Sequence, residues 1–145
     1  SDYILSNVPA YNDAKEKLDK LADRWTSEIE KRYEVLNMKK ENFAREEVLL
    51  PKEEKKKRKD EIDKLELEAM QMQKLRFGVS GDYFSKRQEL IKPIQDDVYD
   101  AMQKVASKRN YGFVFDKANQ SNLIYADSKY DISSSVLKEM GYSDK

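Results

Sequence analysis

Residues 10–50 contain neither glycine nor proline, and apolar side chains recur through them at steps of three and four. The stripe runs Tyr11, Ala14, Leu18, Leu21, Ala22, Trp25, Ile29, Tyr33, Leu36 and Phe43. That spacing puts one narrow apolar line along one face of a helix. Asn7-Val8-Pro9 reads as its start, with Asn7 an N-cap and Pro9 in the first turn. The helix should run to about Leu49, about 40 residues or on the order of 60 Å, far beyond an ordinary globular helix. Its heptad phase slips once, near Trp25, as if four residues were inserted. So long a helix with so thin a stripe needs a second stripe of matching length beside it.

The chain supplies one. Leu49-Leu50-Pro51-Lys52-Glu53-Glu54 reads as a turn, because Pro51 disfavours helical geometry at Leu50 and suits the first position of a new helix. A second stripe then follows through Arg58, Ile62, Leu65, Ala69, Met72 and Leu75/Arg76. Phe77-Gly78-Val79-Ser80-Gly81-Asp82 breaks it, since each glycine costs about 1 kcal/mol of helix propensity. It resumes at Phe84, Ile91, Ile94, Val98, Ala101/Met102 and Val105, with Pro93 inside the resumed helix. Two stripes around one turn bury each other only as an antiparallel pair. The expected seam holds Leu18, Trp25, Ile29 and Leu36, with Trp25 facing the stretch from Phe84 to Ile94.

The last third changes character. Gly112 is expected to close the long helix. Phe113-Val114-Phe115 and Leu123-Ile124-Tyr125 are β-prone runs separated by the turn-rich residues 116–122, a hairpin pattern. Asp131 should cap a final helix carrying Ile132, Val136, Leu137 and Met140, ended by Gly141. A lone two-stranded hairpin is marginal in water, so these runs need further strands, helix ends or other copies of the chain. The expected fold is mainly α with a small β part: a long antiparallel helical hairpin on a small β-containing base. Residues 1–8 and 106–145 form the base, and 9–105 form the hairpin, with its turn near 49–54.

Charged residues make up 39% of the chain, and 28 basic and 28 acidic residues cancel. A neutral total gives no pull toward nucleic acid, and none is expected as a partner. The sequence has no cysteine and no histidine, which removes thiolate nucleophiles, zinc-thiolate sites and the usual general base. Residues 77–82 lack the Lys-Ser/Thr ending of a phosphate loop. Asp116, Asn119 and Ser121 faintly suggest a calcium loop, but its sixth-position glycine and closing glutamate are absent, and a turn is the better reading. Asp96 and Asp97 point to different sides of a helix and make no acid–base pair. No catalytic, metal or cofactor site is expected, and the chain is not read as an enzyme.

The order of these pieces resembles the Skp/OmpH family of periplasmic chaperones, particularly its Bacteroidetes-type members. The resemblance is carried by Asp2-Tyr3-Ile4-Leu5 with Pro9 and Ala14, by Phe84 to Ile91, and by Pro93-Ile94-Gln95 with Val98. It continues through Val105-Ala106, Tyr111 to Asp116, Leu123 to Ala126, Tyr130 to Ser133 and Val136-Leu137. It implies a homotrimer whose bases join while three helical hairpins project around a cavity. Unfolded outer-membrane protein precursors are held there without ATP. Periplasmic location follows from the same resemblance. In the family a first strand precedes the position of Ser1, which implies that the base sheet lacks it here.

Within that frame Phe113, Phe115, Leu123 and Tyr125 are the candidate trimer contacts, and Gly78, Gly81 and Pro93 the candidate hinges. Client binding is expected to be distributed along the hairpin. The Lys55-Lys56-Lys57-Arg58-Lys59 run, flanked by Glu53, Glu54, Asp60 and Glu61, reads first as a solvated tip. It leaves room for weak contact with acidic clients, anionic lipid or lipopolysaccharide. Met38, Met70, Met72 and Met102 read first as seam packing and second as a soft client surface. A prefoldin-like cytosolic holdase and a structural coiled-coil adaptor are the alternative functions.

Overall fold

The computed structural model describes residues 1–119 and 122–142. Five α-helices follow one another among them: α1 (Asp2–Ser6), α2 (Pro9–Glu46), α3 (Lys52–Phe77), α4 (Asp82–Lys108) and α5 (Ser133–Glu139). Single 3-10 turns occupy Glu47–Leu49 and Ser128–Tyr130. The chain divides into two compact units, one of residues 1–17 and 87–145 and the other of residues 18–86.

In the unit of residues 18–86, α2 and α3 pack antiparallel. Leu36, Phe43 and Ile62 form a buried cluster with Tyr33, Leu50 and Leu65 against it. Pro51 ends the reversal in an extended conformation (φ −58°, ψ 153°) and α3 starts at the next residue. This is where the sequence places the turn, because proline cannot continue the incoming helix but fits the start of the outgoing one. Polar pairs fix the register outward from the tip: Glu46 with Arg58 at 2.5 Å, Lys39 with Glu61 at 2.5 Å, Lys40 with Glu66 at 2.8 Å. Tyr33 Oη donates to Gln73 Oε1 at 3.3 Å. Each such exposed pair is worth at most about 1 kcal/mol, so apolar packing supplies stability and the pairs select alignment.

The expected seam residues Leu18, Trp25, Ile29 and Leu36 are all buried. Leu18 and Trp25 lie seven apart, as do Ile29, Leu36 and Phe43, and a step of four separates the two series. That step is the phase slip seen in the sequence. The partner of Trp25 differs from the expectation: its ring meets Phe77 edge-on, with centroids 6.2 Å apart, not the stretch from Phe84 to Ile94. Equal rise on both arms decides this. A turn near residue 51 brings residue 25 opposite residue 77, and only a turn several residues later would reach Phe84. Phe84 is correspondingly about half exposed, and the neighbouring Tyr83 is the ring that packs, 6.0 Å from Phe77.

In the other unit, Ile4, Val8, Ala101, Val105, Val136 and Leu137 form one core. Tyr11, Ile94, Val98, Met102, Ile132 and Met140 surround it. Asn7 caps the end of α1, not the start of α2, and its amide donates to the Tyr3 carbonyl at 2.8 Å. α1 was not visible in the sequence, being too short to show a period. Two contacts hold the end of α4 to α5: Lys108 Nζ to Glu139 Oε2 and Arg109 Nη2 to Ser135 Oγ, both 2.6 Å.

α4 ends before Gly112. Asn110 takes the left-handed conformation (φ 56°), its amide donates to Ser107 O at 3.2 Å, and Tyr111 N donates to Ala106 O at 2.9 Å. This is a Schellman ending with asparagine at the position usually held by glycine. α5 ends the same way with the expected Gly141 (φ 85°), through Gly141 N to Lys138 O and Tyr142 N to Leu137 O. Asn110→Val should cost about 1–2 kcal/mol, the penalty of left-handed backbone for an ordinary residue. Asn110→Gly should be neutral or slightly stabilising. Urea unfolding midpoints of the two variants test this.

No strand occurs among the described residues. Phe113–Phe115 and Leu123–Tyr125, expected as a hairpin, are irregular chain in the single protomer. An isolated ribbon of this length has no second layer to bury its rings against, which is the physical reason it does not pair alone.

Candidate functional site

The candidate assembly residues lie together in the unit of residues 1–17 and 87–145, beyond the Asn110 ending of α4. Phe113 is 84% exposed and stacks on Phe115 with centroids 6.4 Å apart and planes at 21°. Ile124 is 100% exposed, Tyr125 and Tyr130 are largely exposed, and Leu123 is the least exposed of the group. Fully burying one such side chain stabilises by about 1.5–3 kcal/mol. A dense run of exposed rings in so charged a chain is therefore costly to leave in water. The turn between the runs is closed by Asp116, which accepts from Ala118 N at 3.3 Å and from Asn119 Nδ2 at 2.7 Å. The same carboxylate also accepts from the Ser1 amine at 2.7 Å. Ser121 lies outside the described residues.

Just past these runs, Asp131 accepts from Ser133 N at 2.9 Å in the turn before α5, while the N-cap position itself falls on Ile132, one residue later than expected. Hydrogen bonds from the Ser133 side chain and backbone hold its carboxyl below the usual carboxylate range. A depressed folded-state value means the stabilisation from this hydrogen bond is fully present above the ordinary range, near pH 4, and is lost as pH falls through the lower folded value. The Ser133 amide shift, followed by NMR from neutral to acid, should titrate with a midpoint below about 3.9. Asp131→Asn should abolish that titration while keeping α5.

The hairpin unit presents a charged surface with apolar side chains left open on it. Val35, Met38, Leu67, Met70 and Leu75 are each roughly half exposed, and Val48 and Leu49 at the tip almost wholly so. Met72 and Met102 are half-buried, so the methionines divide between packing and surface. Adjoining shallow depressions lie between α2 and α3. Glu28, Lys31, Val35 and Leu65 line one, Gln71, Met72 and Leu75 line the other, and both share Arg32 and Glu68. In the basic run at the tip, Arg58 is engaged with Glu46, while Lys56, Lys57 and Lys59 are exposed. Glu61, pulled below its ordinary range by the hydrogen bond and charge of Lys39, belongs to the register pairs.

The candidate hinge residues fall in two places. Gly78 and Gly81 form the break between α3 and α4, where Gly81 N donates to Gly78 O at 2.9 Å. Glycine is required there by close approach: a Cβ on Gly81 would sit 2.7 Å from the Leu75 carbonyl oxygen. Pro93 lies inside α4. At the end of α3, beside the break, Arg76 lies over the Trp25 ring at 4.7 Å, a contact that the sequence reading does not specify. The one available signal was the ambiguity of Leu75 and Arg76 at the same stripe position.

Among the described residues there is no cluster of acidic side chains fit to hold a metal ion and no buried polar or charged residue. No helix among them is long and apolar enough to cross a membrane. No curated protein matches the chain at a significant level. The family described as "Outer membrane protein (OmpH-like)" matches it over residues 1–140, nearly the whole length. With the order of its segments and its long helical pair, the chain belongs to the OmpH-like (Skp/OmpH) family.

Proposed function

We propose that this protein is an ATP-independent periplasmic holdase that binds unfolded outer-membrane β-barrel precursors and keeps them from aggregating. The observation that carries the reading is the surface of the hairpin unit: single apolar side chains spaced among charges, beside shallow depressions instead of an enclosed pocket. Such a surface suits many weak contacts with an extended, irregular client. Family membership supports the client class and the compartment. The protein works as a binder and not as an enzyme. Its charged tip adds at most weak contact with acidic or lipid-associated material.

The base comprises residues 1–8 and 106–145, and the projecting hairpin residues 9–105. Three copies join through Phe113, Phe115, Leu123 and Tyr125, whose runs pair as strands once a second layer covers them. Three hairpins around one client raise the effective concentration of contact sites without any single strong one. Gly78, Gly81 and Pro93 let the hairpins adapt to clients of different size.

The test is suppression of aggregation when a urea-unfolded outer-membrane barrel protein is diluted with the purified chaperone, without nucleotide. Suppression near one trimer per client is expected. Failure to suppress, or a requirement for ATP, would sink the reading, and one tight folded partner in place of many unfolded ones would favour the adaptor. Single reversals such as Lys55→Glu or Lys57→Glu should change client affinity by less than about fivefold, the worth of one exposed charge pair. Combined reversals should add up. Complete loss from one tip substitution in a folded protein would reveal a discrete site. Mass measurement by light scattering should give three chains, and Phe113→Ser with Tyr125→Ser should shift it toward one.

A further inference from the structure

At residue 76 the seam of the hairpin unit stops being made of hydrocarbon. The α3 positions that lie toward α2 are Ile62, Leu65, Ala69 and Met72, and the next step falls on Arg76, while Leu75 points largely to solvent. The Arg76 guanidinium lies on the buried Trp25 ring, and Phe77 closes the edge of that ring. On its other side Arg76 Nη1 pairs with Asp82 Oδ2 at 2.5 Å. Asp82 is the first residue of α4, so this pair spans the break between the two helices. Arg76 Nε is sealed from water and has no hydrogen-bond partner. The guanidinium is therefore held by one ring face and one carboxylate.

The backbone beneath is tight. Cβ atoms on Gly78 or Gly81 would run into the last carbonyls of α3, those of Lys74 for the first and of Leu75 and Arg76 for the second. The glycines thus allow the chain to close against the helix end, and closure is a different property from looseness.

We propose that Trp25, Arg76 and Asp82 form a latch across the Gly78–Gly81 break. Closed, it fixes the first turn of α4 to the last turn of α3. Opened, it turns the same two glycines into a hinge. A planar guanidinium can stack and pair at once, which a lysine cannot do. The pair is part-exposed, so salt reaches and weakens it. The latch goes beyond the holdase reading and does not depend on it.

Trp25 is the sole tryptophan, so its emission reports the latch directly. Asp82→Asn should speed hydrogen exchange at the Gly81 and Ser85 amides by about tenfold or more, a local opening. Amides of residues 36–43 and 62–69 should keep their wild-type rates, and Trp25 emission should move to the red. About 1 M salt should move the wild-type emission in the same direction and leave Asp82→Asn unchanged. Asp82→Glu should restore wild-type exchange. Arg76→Lys, which keeps the charge and loses the stacking, should open the break as Asp82→Asn does. The proposal is overturned if exchange at the break is unchanged in Asp82→Asn, or if it rises evenly along the hairpin. It is equally overturned if salt acts alike on wild type and Asp82→Asn. Should a variant not fold, a wild-type Trp25 emission that stays unchanged in about 1 M salt overturns the proposal by itself.

Discussion

Trp25→Ala is expected to destabilise the hairpin unit by about 3–5 kcal/mol, the range for deleting a buried large aromatic side chain. The ring is covered by three kinds of contact: the edge of Phe77, the plane of Arg76 and the buried seam around it. Removing it opens a cavity and takes the stacking surface from a guanidinium whose Nε is already without a partner. Trp25→Phe should recover roughly half of the loss, since a smaller ring still meets Phe77 but covers less of Arg76. Circular dichroism during urea unfolding measures both. A loss below about 1 kcal/mol for the alanine variant would mean that the seam does not close around this residue.

The second large effect is expected in the other unit. Leu137 is fully buried, in a core it shares with Ile4, Val8, Ala101, Val105 and Val136. Leu137→Ala should cost about 2–5 kcal/mol. α5 has only seven residues, too few to persist alone in water, so the loss should appear as release of that helix from α1 and α4. Amide exchange at residues 136–142 should rise steeply, while residues 36–43 stay protected. Uniform exchange along the whole chain would instead show that the two units unfold together.

What the sequence discloses here follows the range of the interaction involved. The paired helices, their turn at Pro51 and the seam through Leu18, Trp25, Ile29 and Leu36 are repeated signals, each position confirming the last. The final helix and its Gly141 ending are local chemistry and equally legible. Single decisions between equals are harder to read. Asn110 takes the left-handed position that Gly112 was expected to hold, because asparagine tolerates that conformation and a helix can stop wherever its last carbonyls find donors. Arg76 is legible only as half of the Leu75/Arg76 alternative, because its charge reads as polar while its stem and planar head cover a ring. Trp25 meets Phe77, and not the stretch from Phe84 to Ile94, because equal rise from the tip sets the partner. For Phe113–Phe115 and Leu123–Tyr125, the sequence shows β-prone runs and the structure shows them exposed and unpaired, and the strand pairing proposed for them requires what one chain does not hold.

α4 contributes to both compact units, and it does so on two different counts. Ile62, Ala69 and Arg76 follow one another at seven residues, and Tyr83, half-buried beside Phe77, falls seven further on. Ile91, Val98 and Val105 also keep a spacing of seven, but Ile91 comes eight after Tyr83. Eight residues of α-helix turn about 80° past two full revolutions, so the apolar line on α4 swings round by that angle within a single helix. The swing lies between Tyr83 and Ile91, where the division between the units also falls. Insertions and deletions should therefore be tolerated very unequally along this chain. A matched pair of heptads added to both arms beside the tip keeps every count intact and merely lengthens the hairpin. One residue removed between Phe84 and Leu90 instead merges the two counts of α4 into one.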